Sequence, residues 1–188
     1  GTATSATTGS VFGLGGEGSL PGPVAALTLG GIWNAEVVPS SRTVLALPLA
    51  LTVVLLALAA LGARPLLRRL GRRTTGALCA LWVVGYAVAV LSWAAPGAVA
   101  WLASTVPGGG LLRDGSRSLA LCAPLLAALV AAGVERCADR CTDRELRVVV
   151  GIAGALVPLV LLPAATWGIS GALRPADYPE EWADAREA

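Results

Sequence analysis

The sequence contains no histidine, no lysine and no methionine, and aromatic residues make up only 5% of it. Without histidine the chain lacks the side chain best suited to proton transfer near neutral pH and the commonest metal ligand. Cys79, Cys122, Cys137 and Cys141 are the only thiols. Cys79 and Cys122 lie in apolar stretches and read as small apolar residues. Cys137 and Cys141 are not joined by a second cysteine pair, so the chain offers no metal-ligand motif and calls for no cofactor. A formal net charge of +2 is too small to argue for a nucleic-acid partner. The absence of methionine, at position 1 as elsewhere, leads us to expect a piece of a longer chain.

Charge is also missing locally. Thr43–Ala63, Thr74–Ala95, Ser118–Val134 and Val148–Gly168 contain no Asp, Glu, Lys, Arg or His. Each is about 17–22 residues, enough for a helix rising about 1.5 Å per residue to cross a hydrocarbon core of about 30 Å. With 55% hydrophobic residues and a mean hydropathy of +0.72, the composition points to an all-α integral membrane protein. Four transmembrane helices in two hairpins, with one or two short interfacial helices, are expected.

The arginines set the orientation. Arg64, Arg68, Arg69, Arg72 and Arg73 crowd the first link, and Arg136, Arg140, Arg144 and Arg147 fill the third. The positive-inside rule places both links in the cytoplasm. We therefore expect a multi-pass protein of the plasma membrane with both ends extracytoplasmic. Its parts are an outer leader at 1–42, a four-helix region at 43–168, and an outer tail at 169–188 leading to a further domain. The first span is not a signal peptide, because its positive cluster follows the apolar run.

Residues 1–22 read as a flexible or loosely packed outer loop. Pro23–Trp33 is too short and glycine-broken to span, and is either an interfacial helix or a re-entrant piece. Ser40 and Ser41 are candidate caps for the first span, and Trp33 suits a headgroup-level anchor. Pro48 falls in the first turn of that span, where a proline costs little. The link Arg64–Arg73 suits a short segment on an anionic inner leaflet, with topology alone as the plainer reading. Pro96 and Gly97 end the second span, and Ala98–Thr105 reads as a short outer helix with Trp93 and Trp101 as belt residues. Glu135–Arg147 reads as helical, with Arg136–Asp139 and Arg140–Asp143 as possible i,i+3 pairs. Gly151 and Gly154 suit close helix contact, while Pro158 and Pro163 suggest a kink.

No span carries an ionisable acid or base, which argues against a proton-coupled pump. The best outer-face candidate is Arg113, Asp114 and Arg117, where two guanidinium groups on a glycine-flanked loop suit a phosphate or diphosphate headgroup. The alternative is an ordinary loop with solvated charges. Glu17 and Glu36 are the carboxylates of the N-terminal loop, and Glu36 is a candidate base. No nucleophile–base pair and no glycine-rich phosphate loop is present.

Three pieces, Leu29–Arg42 (LGGIWNAEVVPSSR), Leu112–Ser118 (LRDGSRS) and Leu173–Trp182 (LRPADYPEEW), carry a resemblance. They resemble the membrane portion of large actinobacterial multi-pass proteins similar to the GT-C superfamily of membrane glycosyltransferases. That resemblance implies a donor of the polyprenyl-phosphate-sugar class, with the bilayer and the remaining transmembrane helices of the parent protein as partners. It places the catalytic acid in an upstream outer loop, so no catalytic residue transfers to this chain. A membrane scaffold or transporter component without enzymatic activity is the alternative.

Overall fold

The computed structural model describes residues 13–17, 20–32, 38, 45–109 and 114–161. Among them the chain is all-α: every extended element is a helix, and no strand occurs. In chain order the helices are α1 (Gly22–Ala26), α2 (Ala46–Ala94), α3 (Pro96–Thr105), α4 (Gly115–Ser118), α5 (Ala123–Ala138) and α6 (Arg144–Leu161). A 3₁₀ turn, Leu119–Leu121, joins α4 to α5.

Helix α2 merges the first two expected spans. Its 49 residues run through the arginine-rich link, with Pro65 inside the helix. The link is therefore not a separate surface segment: the helix continues to Leu70 and breaks at one residue. Gly71 has φ 74° and ψ 169°, a conformation in which a Cβ would be strained and which glycine adopts freely. The break turns the chain sharply. On a straight helix Leu58 and Ser92 would stand about 51 Å apart. Their neighbours are Gly133 and Gly115 respectively, which are separated by at most about 30 Å of helix. Both arms of α2, 46–70 and 72–94, thus lie against α5 and the turn before it.

Small residues make this packing possible. A Cβ added at Gly62 would overlap the carbonyl of Leu129, and one added at Gly133 would overlap the carbonyl of Leu58. The backbones of the first arm and α5 touch at that crossing, the arrangement that small residues permit between membrane helices. On the second arm, a Cβ at Gly85 would lie 2.9 Å from Leu121 Cβ. Ser118 Oγ donates to the Gly85 carbonyl at 2.8 Å, and Cys122 Sγ donates to the Trp82 carbonyl at 3.4 Å. Gly154 of α6 sits against the Val134 side chain, whereas Gly151 faces open space. Of the two glycines expected to allow close contact, one does so.

The interior forms two clusters. Leu66, Leu125 and Ala132 are buried between the first arm and α5, and Leu78 and Trp82 of the second arm pack on them. Nearer the other end, Leu14, Ala26, Ala89, Leu119 and Cys122 are buried together beside Trp82 and Tyr86. The rings of Trp82 and Tyr86 stack, with centroids 4.8 Å apart.

The described part of the N-terminal segment is ordered against this second cluster, where a loose loop was expected. Leu14, Leu20, Ala25 and Ala26 are buried. Tyr86 Oη donates to the Pro23 carbonyl at 3.0 Å, and the Leu14 N–H donates to Ser92 Oγ at 3.2 Å. Glu17 is buried and accepts from the Gly31 N–H at 2.8 Å. Its backbone exchanges two hydrogen bonds with Leu20, at 3.1 and 3.0 Å. The buried carboxylate closes the loop onto itself. Helix α1 has five residues and is too short to span, as the broken apolar stretch at 23–33 suggested.

Further along, α3 begins at Pro96 and exposes Trp101, in agreement with a short outer helix. The third apolar run is broken: α4 with its 3₁₀ turn meets α5 at 48°, next to Cys122 and Pro124. The polar link after it is only partly helical. Helix α5 stops at Ala138, turns occupy 139–143, and α6 starts at Arg144. Pro158 lies inside α6; Pro163, Trp167 and the tail 169–188 lie outside the described residues, as do Trp33, Ser40 and Ser41.

By length and composition, α2 is able to cross a membrane, and α4–Leu121 together with α5 meets the same test as a bent pair. Large apolar side chains stand exposed along both arms of α2, among them Leu49, Val53, Val83 and Val84, and along α6 at Val148, Val149, Ile152 and Val160.

Candidate functional site

The outer-face candidate is only half described. Arg113 and Glu36 lie outside the described residues. Asp114 precedes α4 and is mostly buried, while the Arg117 side chain is 80% exposed. Arg117 Nε meets Asp114 Oδ2 at 2.9 Å, one helical turn back. Ser116 Oγ donates to Asp114 Oδ1 at 2.7 Å. The carboxylate therefore receives both a guanidinium and a hydroxyl. Arg117 retains outward N–H groups, but part of its charge is already compensated within the loop.

The opposite end of the bundle holds a groove that the sequence did not reveal. Arg64, Arg68 and Arg69 come from the first arm of α2, and Glu135, Arg136 and Asp139 from the end of α5; Pro65 and Ala132 line the floor. The groove has a volume of about 470 Å³. Helical spacing explains the first set: residues 64 and 68 are one turn apart and share a face. The Gly62–Gly133 crossing explains the second, because it brings the two helices close just before their charged ends.

The arginines in the groove are not equivalent. Arg69 Nη1 binds Glu135 Oε2, with both side chains more than half exposed. Arg136 is part-buried, and its Nη1 donates to the Leu61 carbonyl at 3.2 Å. It does not take up Asp139, the i,i+3 partner expected from spacing. Its guanidinium instead reaches across to the first arm and satisfies a carbonyl that precedes Pro65 by one turn. Proline has no N–H to donate to that carbonyl, which leaves it free to accept from the arginine. Arg64 and Arg68 are exposed and have no carboxylate partner among the described residues. The signal in the sequence was the Arg64–Arg68 spacing; the contribution from α5 depends on a crossing that no local pattern reports.

The cysteines are all free thiols. Cys122 is buried, Cys137 and Cys141 are half-buried, and Cys79 is exposed. Cys141 Sγ donates to the Cys137 carbonyl at 3.7 Å. Among the described residues no three of His, Cys, Asp and Glu gather in a group able to hold a metal ion. No protein-family model, curated protein or solved structure matches the chain.

Proposed function

We propose that this chain is a membrane-embedded helical module without catalytic machinery of its own, in which the two arms of α2, the bent α4–α5 pair and α6 are four spans forming two hairpins. The carrying observation is the distribution of surface. Exposed leucine, valine and isoleucine side chains run along both arms of α2 and along α6, while the arginines cluster at the Gly71 end and at the α5–α6 turn. Water would oppose that much apolar exposure, whereas lipid tails or neighbouring apolar helices accommodate it. Under this reading the arginine-rich end faces the cytoplasm.

Two uses of such a module remain distinct. In one it packs against the other helices of a multi-pass protein as a scaffold. In the narrower one, supported by the resemblance of the three sequence pieces to GT-C-type enzymes, it forms the lipid-chain side of a glycosyltransferase, and Arg113 and Arg117 hold the donor phosphate.

One experiment addresses both. The full chain is reconstituted into phosphatidylcholine vesicles containing a radiolabelled polyprenyl-phosphate sugar, extracted with alkaline carbonate and floated. The module reading expects the chain to float with the lipid after extraction; a chain left in the soluble fraction overturns it. Enrichment of the donor with the protein, reduced about tenfold in Arg117→Ala by loss of one charge-assisted contact, supports the glycosyltransferase use. Flotation without donor enrichment leaves the scaffold.

A further inference from the structure

From the groove at the arginine-rich end we infer that the chain binds the phosphate headgroup of an anionic lipid between the first arm of α2 and the end of α5. The inference deepens the membrane reading and rests on it. It assigns a ligand class to residues distinct from the Arg113–Arg117 loop.

The chemistry is that of paired guanidinium groups on a rigid frame. Arg64 and Arg68 stand one turn apart on one helix face, exposed and without a carboxylate partner among the described residues. Arg136 faces them from α5, held by its bond to the Leu61 carbonyl at 3.2 Å. Only one of its Nη donors is used there, which leaves others of its five N–H groups for a second acceptor. The groove also holds two carboxylates. Glu135 is occupied by Arg69, and Asp139 lies at the lip of the groove beyond the end of α5. Three guanidinium groups therefore converge with a single uncommitted carboxylate near them. A phosphodiester matches this set, since planar guanidinium forks bind its oxygens in pairs.

Position identifies the source of the phosphate. The groove begins directly past the Gly62–Gly133 crossing, and its floor is apolar, with Leu66 and Ala132 buried beneath it. A lipid whose tails lie along the exposed apolar face of α2 would bring its headgroup to this level. Basic pockets between spans on the cytoplasmic side are a recurrent way to hold anionic headgroups. A soluble phosphate would gain nothing from the adjoining apolar face.

The test uses the full chain in vesicles of phosphatidylcholine with one-fifth phosphatidylglycerol, and reads the lipids retained by native mass spectrometry. Wild type is expected to retain phosphatidylglycerol well above its share of the bilayer. Arg64→Gln/Arg68→Gln is expected to lower that enrichment roughly thirtyfold, about a tenth to a fifth of the affinity being lost per basic group near the surface. Arg72→Gln/Arg73→Gln removes the same charge beyond Gly71, outside the groove, and is expected to change retention no more than about threefold by loss of general surface attraction. Equal losses in the two double variants would overturn the site in favour of diffuse surface charge. Displacement by inorganic phosphate at matched ionic strength would overturn its lipid character. If the chain enters phosphatidylcholine vesicles but shows no preference for phosphatidylglycerol, the headgroup site fails and the membrane reading stands. If it enters no vesicle, both fail.

Discussion

Gly62→Ala and Gly133→Ala are each expected to destabilise the helix bundle by about 3 kcal/mol, the upper end of overpacking costs. A single methyl suffices, because the atoms it meets are backbone. The Cβ at Gly62 would overlap the Leu129 carbonyl and approach the Gly133 nitrogen to 2.7 Å; the Cβ at Gly133 would overlap the Leu58 carbonyl. A side chain in its place could rotate away, but a carbonyl inside a helix cannot. The first arm of α2 and α5 must separate, and separation weakens dispersion contacts along the whole crossing. It also pulls Arg136 from the Leu61 carbonyl and opens the Leu66–Leu125–Ala132 cluster. The same substitution at Gly76 is the control. Nothing lies within 4 Å of a Cβ there, so Gly76→Ala is expected to be neutral or to stabilise by up to about 1 kcal/mol through helix propensity. Denaturant titration in detergent micelles, followed by far-ultraviolet circular dichroism, reads all three. Destabilisation of the same size at Gly76 and Gly62 would mean that the close crossing is not what holds the arms.

The second large effect is expected at Ser92. Its side chain is 2% exposed and does two jobs. The hydroxyl donates to the Ala89 carbonyl at 2.7 Å and accepts from the Leu14 N–H at 3.2 Å, which ties the N-terminal segment to the second arm of α2. Its small size also admits Gly115, whose added Cβ would overlap it. Ser92→Leu is expected to cost about 3 kcal/mol, combining a stranded buried N–H with overpacking against α4. Ser92→Ala removes only the hydroxyl and is expected to cost about 1–2 kcal/mol. The readout is local: protease cleavage and amide exchange within 13–32 should rise in the order wild type, Ser92→Ala, Ser92→Leu. Ser104→Leu, at an exposed position of α3 where the hydroxyl bonds only the Trp101 carbonyl at 2.8 Å, should leave exchange in 13–32 unchanged. Uniform loosening of the whole chain in Ser92→Ala would contradict the docking role.

Apolar periodicity and charge placement made part of this architecture legible. The helical content follows from long uncharged runs, and the end of α2 at Ala94 follows from Pro96 and Gly97. Helix α3 follows from the short apolar piece after them. What the sequence hid depends on partners distant along the chain. Gly71 sits among five arginines and looks like one more polar-link residue, yet its backbone is where α2 turns. Gly62, Gly85 and Gly133 look like ordinary small residues in apolar runs, because a close crossing is a property of two helices and not of one. Local spacing also misdirected the charges. Arg136 had Asp139 at i,i+3 but reached for the Leu61 carbonyl, and Glu135 took Arg69 from another helix. The N-terminal segment, rich in glycine and serine, gave no hint that Glu17 would be buried and bonded to the Gly31 N–H. At the outer loop the sequence correctly placed Arg117 beside Asp114, but their proximity made an ion pair inside the loop.

The central claim is that α2 crosses the membrane twice, turning at Gly71 on the arginine side. Site-specific thiol labelling in intact cells tests it most directly. In a background with Cys79, Cys122, Cys137 and Cys141 changed to serine or alanine, one cysteine is placed at Thr74 and, separately, at Val106; both positions are exposed. Two crossings predict that a membrane-impermeant maleimide labels Val106→Cys in intact cells, and labels Thr74→Cys only after the membrane is opened. Labelling of both positions from outside, or protection of Thr74→Cys even in opened membranes, would mean that α2 does not turn at the arginine-rich face, and would contradict the account.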